Sequence, residues 1–270
     1  MSKIEIFDNS LFVIKISGKI SMDYNLLYHN LQKISELVSN INNLKIILII
    51  GFGKPVDDLL YKLYNKKSIK IDGKRVTEKE EIEVIKMISG LNVINVSSIL
   101  VKFNILHYLM PIIHPDYVKC NKRPVGKYDF KYVGDINYIN SNMMLDLLIN
   151  RDILVASSML LDQDTNEPLN INADSLATEI AIKMNARRLI FISDVDGVYD
   201  KNQNILKSIG VNEIDELITN GTAKDGMSVK LKNIKYALES GLNSVQIVSG
   251  NSSDIFGLDK NNGTLFVNTK

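Results

Sequence analysis

Hydrophobic residues along this 270-residue chain follow two alternating patterns. Short runs of β-branched and other apolar residues predict buried strands, whereas longer segments with an apolar residue at every third or fourth position predict helices. The predicted strands are Leu11–Ile16, Lys45–Ile50, Ile153–Ser157, Arg188–Ile192, Ser244–Val248 and Thr264–Val267. The predicted helices are Tyr24–Ser39, Val56–Tyr64, Glu78–Ser89, Ser141–Asn150, Ala173–Met184 and Val229–Ser240. This alternation predicts βαβ units and an α/β fold, with a mainly parallel sheet covered on both faces.

One segment, residues 119–131, does not follow this alternation of strands and helices. It contains Pro124, Gly126 and several basic residues, a composition that indicates a hairpin or loop outside the core. The segment is either a solvated β-hairpin or a surface that contacts an acidic substrate or partner. Because the chain has neither an internal repeat nor a Ser/Gly-rich linker, two lobes would have to share one sheet. We predict a boundary near Asn172, with residues 1–172 in the first lobe and residues 173–270 in the second.

Composition narrows the possible partners. With 45% hydrophobic and 23% charged residues, the chain can bury one large core or two lobes around a shared sheet. Its formal net charge is +1 with both signs interspersed, which argues against binding to nucleic acid or to an anionic membrane surface. A single cysteine, Cys120, allows no internal disulfide, and no segment approaches the ~18 uninterrupted apolar residues of a membrane span. We therefore expect a cytoplasmic protein that binds a small molecule and has no metal site of its own.

Two turns after predicted strands carry candidate anion-binding groups. Lys15 lies near the end of the first strand, just before Ser17 and Gly18, and the second strand runs directly into Gly51-Phe52-Gly53. Turns at the carboxyl ends of parallel strands present backbone N–H groups to anions. A lysine there can bind phosphate, although a single lysine at a strand end is more often a solvated surface residue. Phe52 would be strained if the turn required a left-handed backbone at that position.

A third candidate lies before a predicted helix. Arg75 precedes Thr77, the predicted N-cap, with Glu80 as its capping-box partner. An arginine fixed in this way can hold a carboxylate through two parallel hydrogen bonds. A lone arginine is as often part of a surface ion pair, so both interpretations stay open.

The segment PLNINADSLATEIAIKM is more specific. Asn170, Asn172 and Asp174 occupy alternate positions where an extended segment meets a helix, so we expect their side chains on one face. The amides can donate hydrogen bonds and the carboxylate can hold an ammonium group in place. Three polar side chains at a sheet edge are unfavourable unless they are satisfied, which indicates a site.

Two further motifs follow in the second half. The strand LIFIS ends in Ser193-Asp194-Val195-Asp196-Gly197, which on its own could be a metal-binding or sugar-binding acidic loop. Gly226 and Met227 precede a helix that is predicted to carry Lys230 in its first turn. A cation near a helix N-terminus opposes the helix dipole unless an anion lies between them, so this lysine indicates a phosphate.

Taken in order, these elements resemble the amino acid kinase family. The resemblance covers nearly the whole chain and rests on the segments DGKRVTEKEEIEVI, YVGDI, LNINADSLATEIA, LIFISDVDGVY and DGMSVKLKNIKYALESG, with GTLFVN as the closing strand. It implies a two-lobed, three-layer αβα sandwich and an ATP-dependent kinase. The amino-acid substrate would bind in the first lobe, which would also form a homodimer. ATP would bind in the second lobe, with Mg²⁺ held mainly by the nucleotide phosphates.

The resemblance also implies functions for individual residues. Lys15 and Lys230 would neutralise charge on the transferring phosphoryl group, and Asp174 would orient both lysines. The substrate-binding residues would be Gly51, Phe52, Gly53, Arg75, Asn170 and Asn172. The nucleotide-binding residues would be Ser17, Gly18, Ser193, Asp194, Asp196, Gly197, Val198, Tyr199, Asp225, Gly226, Met227 and Lys230. Phosphoryl transfer requires positioning and electrostatic stabilisation from such residues, and a carboxylate acceptor is already a nucleophile.

The identity of the acceptor is open at this point. The resemblance is strongest to members that phosphorylate the γ-carboxylate of N-acetyl-L-glutamate in arginine biosynthesis. A second possibility is a kinase for glutamate or 2-aminoadipate attached to an acidic amino-group carrier protein, for which the basic segment around Lys122 and Arg123 is suited. The first lobe departs from the family, because Ser17-Gly18 stands where the family has two glycines and Phe52 interrupts its glycine-rich second turn. These departures leave a third possibility, a catalytically weakened homologue with a regulatory function.

Overall fold

A central, mainly parallel sheet organises the computed structural model, which describes residues 10–71, 73–223, 225–256 and 262–268. The strands in chain order are β1 (Leu11–Ile16), β2 (Lys45–Ile50), β3 (Ile69–Ile71), β4 (Lys74–Val76), β5 (His107–Met110), β6 (Val118–Lys122), β7 (Gly134–Ile139), β8 (Ile153–Ser157), β9 (Met159–Leu161), β10 (Pro168–Asn170), β11 (Arg188–Ser193), β12 (Ser208–Gly210), β13 (Ser244–Ser249) and β14 (Thr264–Val267). The α-helices are α1 (Gly18–Met22), α2 (Tyr24–Asn40), α3 (Gly53–Tyr64), α4 (Lys79–Lys102), α5 (Ser141–Leu148), α6 (Ala173–Lys183), α7 (Ile214–Thr219) and α8 (Asp225–Glu239). Helices pack on both faces of the sheet, so the fold is the predicted three-layer αβα sandwich.

Eight strands form the central sheet, in the order β12-β14-β13-β11-β1-β2-β8-β5. Neighbouring strands are parallel except for the antiparallel pair β13 and β14. Because β1 lies between β2 and β11, the turns after these three strands meet at one edge of the sheet. Strands before residue 172 occupy one half of the sheet and later strands occupy the other half. The division into a substrate lobe and a nucleotide lobe stays a prediction.

Successive side chains of β1 point to opposite faces of the sheet, so each residue of β1 belongs to one of the two helical layers. The even-numbered residues of β1 pack into the core beneath α2 and α4, whereas Val13 points to the opposite face, which α6 and α8 cover. Lys15 follows Val13 on that second face, because successive side chains of a strand point to opposite sides. The sequence pattern therefore places Lys15 in the layer that also contains Asp174 of α6 and Lys230 of α8.

The predicted strands are confirmed, with small changes in their bounds. Four have the predicted ends, and β11 and β13 each extend by one residue, to Ser193 and Ser249. The helix predicted for residues 78–89 was too short, since α4 continues to Lys102. Its N-cap is Glu78, which forms the capping box with Glu81, so the predicted capping pair was wrong by one residue.

The long helix α4 bears on the expectation that no segment approaches ~18 uninterrupted apolar residues, which it does not contradict, because Ser89, Asn92 and Asn95 interrupt its apolar run. It has 24 residues, and within the described part of the chain it alone has the length and apolar composition of a span. Half of its most apolar window is buried in the protein. Val93, Val96 and Ile99 pack against the central sheet together with α2, so this helix belongs to the core.

The segment 119–131 lies in a separate two-stranded hairpin, but the expectation that it stands outside the core was wrong for β6, because the Cys120 side chain is buried in the large core. Its strands β6 and β7 pair with each other in antiparallel orientation and do not join the central sheet. Arg123 Nη2 lies 2.5 Å from Asp135 Oδ1, and Lys131 Nζ lies 2.9 Å from Asp129 Oδ2. Two of the basic residues of the hairpin therefore have carboxylate partners within it.

Candidate active site

Three charged side chains meet on the α6 and α8 face near the carboxyl end of β1. Lys15 Nζ lies 2.7 Å from Asp174 Oδ1, and Lys230 Nζ lies 2.7 Å from Asp174 Oδ2. The exposed fractions of the three side chains are 11% for Lys15, 14% for Asp174 and 9% for Lys230. We refer to these residues as the charge cluster. The structure thus brings together three residues that are far apart in the sequence.

Two ammonium groups share one carboxylate, so the charge cluster carries a net positive charge. Burial alone would raise the pKa of Asp174, but the two lysines outweigh burial and hold that pKa far below its usual value. Burial lowers the pKa of Lys230, an effect that Asp174 opposes and Lys15 reinforces. The Lys230 ammonium also lies 4.5 Å from the centroid of the Phe191 ring, whose face attracts a cation. A buried excess of positive charge is a suitable binding place for an anion.

Glycines allow two turns to pack closely beside Lys15. The Gly51 N–H donates to Ile16 O over 2.9 Å, which joins the turn after β2 to the end of β1. A Cβ atom on Gly18 would lie 3.0 Å from Phe52 Cα, and one on Gly51 would lie 3.1 Å from Lys15 Cε. Side chains at either position would therefore push the two turns, or the lysine, out of place.

The two unusual residues of these turns, Ser17 and Phe52, have different environments. Phe52 has φ −139° and ψ 15°, so the strained left-handed conformation that the sequence raised for it is absent. Its ring is buried with Val56 and Ile85 in a small hydrophobic cluster between α3 and α4. The Ser17 hydroxyl oxygen is buried and has no hydrogen-bond partner among the described residues. Phe52 thus stabilises the first lobe by packing, whereas Ser17 adds a hydroxyl group to the turn after Lys15.

Arg75 lies at the centre of a second ionic group, which we refer to as the arginine cluster. Its Nη2 lies 2.5 Å from Asp57 Oδ1 and donates to Gly53 O over 2.8 Å. Its Nη1 donates to Glu81 Oε1 over 3.0 Å and to the Ser68 hydroxyl. Only 9% of the arginine side chain is exposed. These contacts attach Arg75 to the turn after β2, where the sequence predicts substrate binding.

The asparagines of the NINAD segment have separate partners. Asn170 Nδ2 donates to Thr77 Oγ1 over 2.8 Å, which connects β10 to the residues that follow Arg75. Asn172 is the N-cap of α6, and its side chain accepts a hydrogen bond of 2.9 Å from the Ser175 N–H. The alternation in the sequence therefore does not bring Asn170, Asn172 and Asp174 to one common partner.

The loop after β11 supplies the predicted nucleotide-binding residues of the second half. The Tyr199 hydroxyl donates to Asp196 Oδ2 over 3.1 Å, and the Val198 N–H donates to Thr264 Oγ1 over 2.8 Å. A Cβ atom on Gly197 would lie 2.6 Å from the same threonine oxygen. Glycine at this position therefore allows the loop to rest on β14. Ser193, at the end of β11, is buried.

The N-terminus of α8 lies earlier than the sequence predicted. α8 begins at Asp225, whose side chain lies outside the described part of the structure, so Lys230 falls in its second turn and not in its first. Gly226 is exposed, whereas Met227 packs against the large core on the α6 and α8 face. The position of Lys230 is thus set by its contacts with Asp174 and Phe191 more than by the end of the helix.

Lys19 is a candidate that the sequence analysis missed. It follows Gly18 in α1, and its ammonium group forms an ion pair with Asp194, the residue directly after β11. Burial alone would raise the pKa of Asp194, but Lys19 outweighs burial and holds it below its usual value. The ion pair joins the two predicted lobes at the edge of the sheet that carries the charge cluster. A second lysine four residues after Lys15 was visible in the sequence, but it resembled an ordinary surface residue.

The site combines buried cations with closely packed backbone turns. This arrangement can stabilise an anion with several negative charges, such as a phosphoryl group in transfer. Within the described residues, no group of three or more His, Cys, Asp and Glu side chains could hold a metal ion.

The chain is similar in sequence to a known protein family and to named enzymes. The family model "Amino acid kinase family" matches residues 10–249. An acetylglutamate kinase from Hydrogenobaculum sp. (strain Y04AAS1) is 32% identical over 248 residues, which cover 90% of this chain and 85% of that protein. An acetylglutamate kinase from Campylobacter fetus subsp. fetus (strain 82-40) is 33% identical over 248 residues, which cover 92% of this chain and 86% of that protein.

A solved structure gives the same fold. N-acetylglutamate synthase from Neisseria gonorrhoeae aligns with a TM-score of 0.87 at 16% sequence identity. The alignment covers 99% of this chain but 61% of that protein, so this chain spans less than two thirds of its length. The family match over most of the chain and the similarity to named kinases establish that this protein is a phosphotransferase of the amino acid kinase family.

Proposed function

We propose that this protein transfers the γ-phosphoryl group of ATP to the side-chain carboxylate of N-acetyl-L-glutamate, a step of arginine biosynthesis. The observation that carries the proposal is the charge cluster, in which two buried ammonium groups are held by one carboxylate. Similarity to acetylglutamate kinases over about nine-tenths of the chain supports the choice of acceptor. The cytoplasm, where ATP and amino-acid precursors are available, is the proposed location.

The charge cluster would act on the phosphoryl group in transfer. An oxygen of the acceptor carboxylate attacks the γ-phosphorus, the bond from that phosphorus to the bridging oxygen breaks, and ADP leaves with the bonding electrons. Lys15 and Lys230 would stabilise the negative charge on the transferred group, and Asp174 would keep both lysines charged and in position. A carboxylate is ionised at neutral pH, so no side chain has to remove a proton from it.

The nucleotide would bind along the edge formed by β11, the loop after it and the start of α8. The proposed contacts are Ser17, Gly18, Ser193, Asp194, Asp196, Gly197, Val198, Tyr199, Asp225, Gly226, Met227 and Lys230. Mg²⁺ would neutralise part of the phosphate charge and would be held mainly by the phosphates.

The acceptor would bind on the first-lobe side of the charge cluster. Arg75 contacts the carbonyl oxygen of Gly53, and Asn170 contacts Thr77 two residues after Arg75. Arg75 is thereby attached to the turn after β2, and Gly51 of this turn lies beside Lys15. Phe52 and Asn172 complete the proposed set. An acceptor at this turn would lie between Arg75 and the charge cluster.

A second candidate acceptor is glutamate or 2-aminoadipate attached to an acidic carrier protein. The observation that favours it is the basic hairpin, in which Lys122 Nζ lies 5.0 Å from the centroid of the Tyr132 ring and Lys127 lies over Tyr128. Both lysines lie over aromatic rings, and Lys122 also attracts the carboxylate of Asp129, so the hairpin presents cationic groups that could contact an acidic surface. A regulatory homologue without activity is less favoured, because the charge cluster is fully assembled.

Release of ADP from ATP by the purified full-length chain tests these proposals. We expect turnover with free N-acetyl-L-glutamate and trapping of the acyl phosphate by hydroxylamine as a hydroxamate. Turnover with the carrier-bound acceptor alone would favour the second candidate. No turnover with either acceptor, while ATP still binds, would contradict both and would favour the regulatory homologue. Free L-glutamate serves as the matched control, since it differs from the proposed acceptor in the acetyl group.

We also propose a homodimer formed through α4. Met87, Leu91, Ile94 and Val101 are exposed on the outward face of this helix and repeat at intervals of four, three and seven residues. This spacing produces one apolar seam along a helix, the type of surface that pairs with another helix. A twofold axis would allow the same seam of a second copy to cover it.

A further inference from the structure

The terminal N–H groups of Arg75 are already engaged by protein acceptors. An arginine has two N–H bonds on each of Nη1 and Nη2. Nη2 donates to the carbonyl oxygen of Gly53 and forms an ion pair of 2.5 Å with Asp57 Oδ1, and the pair on Nη1 is accounted for by Glu81 and Ser68. A ligand carboxylate that binds this guanidinium group through two parallel hydrogen bonds must therefore displace at least one of these acceptors.

Glu81 and Ser68 are poor candidates for displacement. Glu81 has a side chain that is only 4% exposed, and its second carboxylate oxygen accepts the Glu78 N–H over 2.9 Å in the capping box of α4. The Ser68 hydroxyl accepts from Arg75 and donates to Glu81 Oε1 over 2.6 Å. Movement of Glu81 would break the start of a 24-residue helix, and release of Ser68 would remove a partner of Glu81. Gly53 is held through its backbone, as part of α3.

Asp57 differs from the other partners in three respects. Its side chain is 23% exposed, its second oxygen is 3.1 Å from Lys70 Nζ, and it lines an open cavity of about 500 Å³. The carboxylate can therefore leave Arg75, keep Lys70 as a partner and move toward solvent. The lining of the same cavity includes Lys54, Lys62 and Lys67, which provide further positive charge for it.

We propose that Asp57 occupies the place on Arg75 that the non-reacting carboxylate of the acceptor takes during catalysis, and that the two carboxylates exchange when the acceptor binds. This inference rests on the proposed function, because it assumes an acceptor that carries a second carboxylate. Asp57 is then a specificity-determining residue. It keeps Arg75 neutralised and in position while the site is empty, and it lowers the affinity for acceptors by competing with them.

The charges of the arginine cluster support this exchange. Its buried part, Arg75 with Asp57 and Glu81, carries one positive and two negative charges. A third carboxylate added to this group would be repelled, whereas replacement of Asp57 by the acceptor leaves the charge unchanged. Arg75 holds the pKa of Asp57 below its usual value in spite of burial, so Asp57 competes as an ionised group at neutral pH. The exchange thus preserves the charge balance around Arg75.

The substitution Asp57→Asn tests the proposal. The amide keeps the shape of the carboxylate and can still accept one hydrogen bond from Arg75, but it competes far less well with an anion. In the unmodified protein the acceptor can bind only to the fraction of molecules in which Asp57 has left Arg75, and its apparent affinity is lowered by that fraction. If roughly a tenth of the molecules are in this open form, we expect the KM for N-acetyl-L-glutamate to fall by about tenfold in Asp57→Asn. The value of kcat and the KM for ATP should change by less than about twofold.

Two controls separate competition from other effects. Asp58→Asn removes the neighbouring carboxylate, which pairs with Lys54 over 2.5 Å, and should leave the acceptor KM unchanged. An analogue of N-acetyl-L-glutamate with a carboxamide in place of the α-carboxylate should gain nothing from Asp57→Asn. A rise in the acceptor KM of Asp57→Asn, or an equal gain for the carboxamide analogue, would overturn the proposal.

Calorimetric titration of the acceptor distinguishes this proposal from the proposed function. Tighter binding to Asp57→Asn without turnover would refute the proposed reaction and leave the exchange intact. Turnover by the unmodified protein without tighter binding to Asp57→Asn would refute the exchange alone. Absence of acceptor binding to both proteins would overturn both proposals.

Discussion

Lys230 Nζ lies 2.7 Å from Asp174 Oδ2 in a layer of the protein where water has little access. Because this ammonium group is already desolvated, water weakens its attraction for a phosphoryl oxygen less than it would at the surface. Asp174 holds the lysine in place before any ligand arrives. Charged groups that are fixed in this way contribute most to catalysis, because they stabilise the negative charge that develops in the transition state. Substitutions in this pair should therefore change the rate of transfer more than they change binding.

The first prediction concerns Lys230→Ala. We expect kcat to fall by at least about 100-fold, since loss of one preorganised donor to a developing negative charge costs roughly 2.7–4 kcal/mol. The dissociation constant of ATP should rise by much less, because this lysine acts mainly in the transition state. Steady-state kinetics and calorimetric titration of ATP measure the two quantities.

Lys235→Ala is the matched control for this substitution. Lys235 lies on the same helix, but it pairs with Asp215 and Glu239 at the surface of the protein. Its removal should leave kcat within about twofold, because exposed ion pairs contribute little. Equal losses of kcat and ATP affinity in Lys230→Ala would show that this lysine acts in ground-state binding.

The second prediction concerns the alkaline limit of activity. The protonated form of Lys230 is the active one, so activity should be complete below its pKa and should fall as pH rises through it. Burial lowers this pKa in the free protein, so kcat/KM, which reports the free enzyme, should begin to fall at a pH below the ordinary lysine value of about 10.4. A profile of kcat/KM for ATP against pH, with circular dichroism as a check on folding, measures this limit.

Asp174→Asn should move that limit to lower pH. The carboxylate raises the pKa of Lys230 against the effects of burial and of Lys15, so its neutralisation removes the opposing contribution. We also expect a lower kcat at neutral pH, because the amide no longer holds both lysines through charge. If the unmodified protein and Asp174→Asn lost activity at the same alkaline pH, Lys230 would not be the group that controls this limit.

The sequence was sufficient to predict the fold class because its central strands have clear local patterns, although β5 and β12, at the two edges of the sheet, were not predicted. Runs such as Lys45–Ile50 became central strands with the predicted bounds, since apolar β-branched residues leave few alternatives. The length of α4 was underestimated because its outward face is also apolar, which removes the periodicity that marks a helix. Local pattern therefore predicted buried elements better than it predicted their ends.

The site was predictable only in part, for a different reason. Lys15, Asp174 and Lys230 were identified because their segments resemble a family in order and spacing. Their contacts depend on the layers of the sheet, which a pattern of single residues does not reveal. The partners of Arg75 were missed because Asp57 and Glu81 lie on two other elements, α3 and α4, and become neighbours only after folding.

The third prediction compares two glycines of neighbouring turns. In Gly18→Ala the new Cβ atom would lie 3.0 Å from Phe52 Cα and from Gly53 N, which belong to the backbone and cannot rotate away. We expect the free energy of unfolding to fall by about 1–3 kcal/mol, as for other overpacked sites. The activity should fall as well, because the turns beside Lys15 would separate.

Gly53→Ala is the control for the effect of an added methyl group. A Cβ atom on Gly53 has no other atom within 4 Å, and this residue begins α3. Its stability in urea should therefore stay the same or increase slightly, since alanine favours a helix over glycine. A similar loss of stability in both variants would mean that close packing of the two turns is not the reason for glycine at position 18.

The fourth prediction concerns the proposed dimer. In Ile94→Asp a charge is placed at the centre of the apolar seam of α4, where a second copy would have to bury it without a partner. We expect a monomer at concentrations at which the unmodified protein is a dimer, measured by size-exclusion chromatography with light scattering. The fold should be unchanged, because 63% of the Ile94 side chain is exposed within one chain.

Leu63→Asp provides the comparison for this substitution. Leu63 is also an exposed apolar residue, but it lies on α3 and is not part of the seam of α4. A charge there adds the same side chain to the surface and should leave the dimer intact. If Leu63→Asp separated the chains and Ile94→Asp did not, the interface would have to include α3 and the apolar face of α4 would require another explanation. A monomeric unmodified protein would remove the proposed dimer, but it would leave the charge cluster complete, since all three of its residues come from one chain.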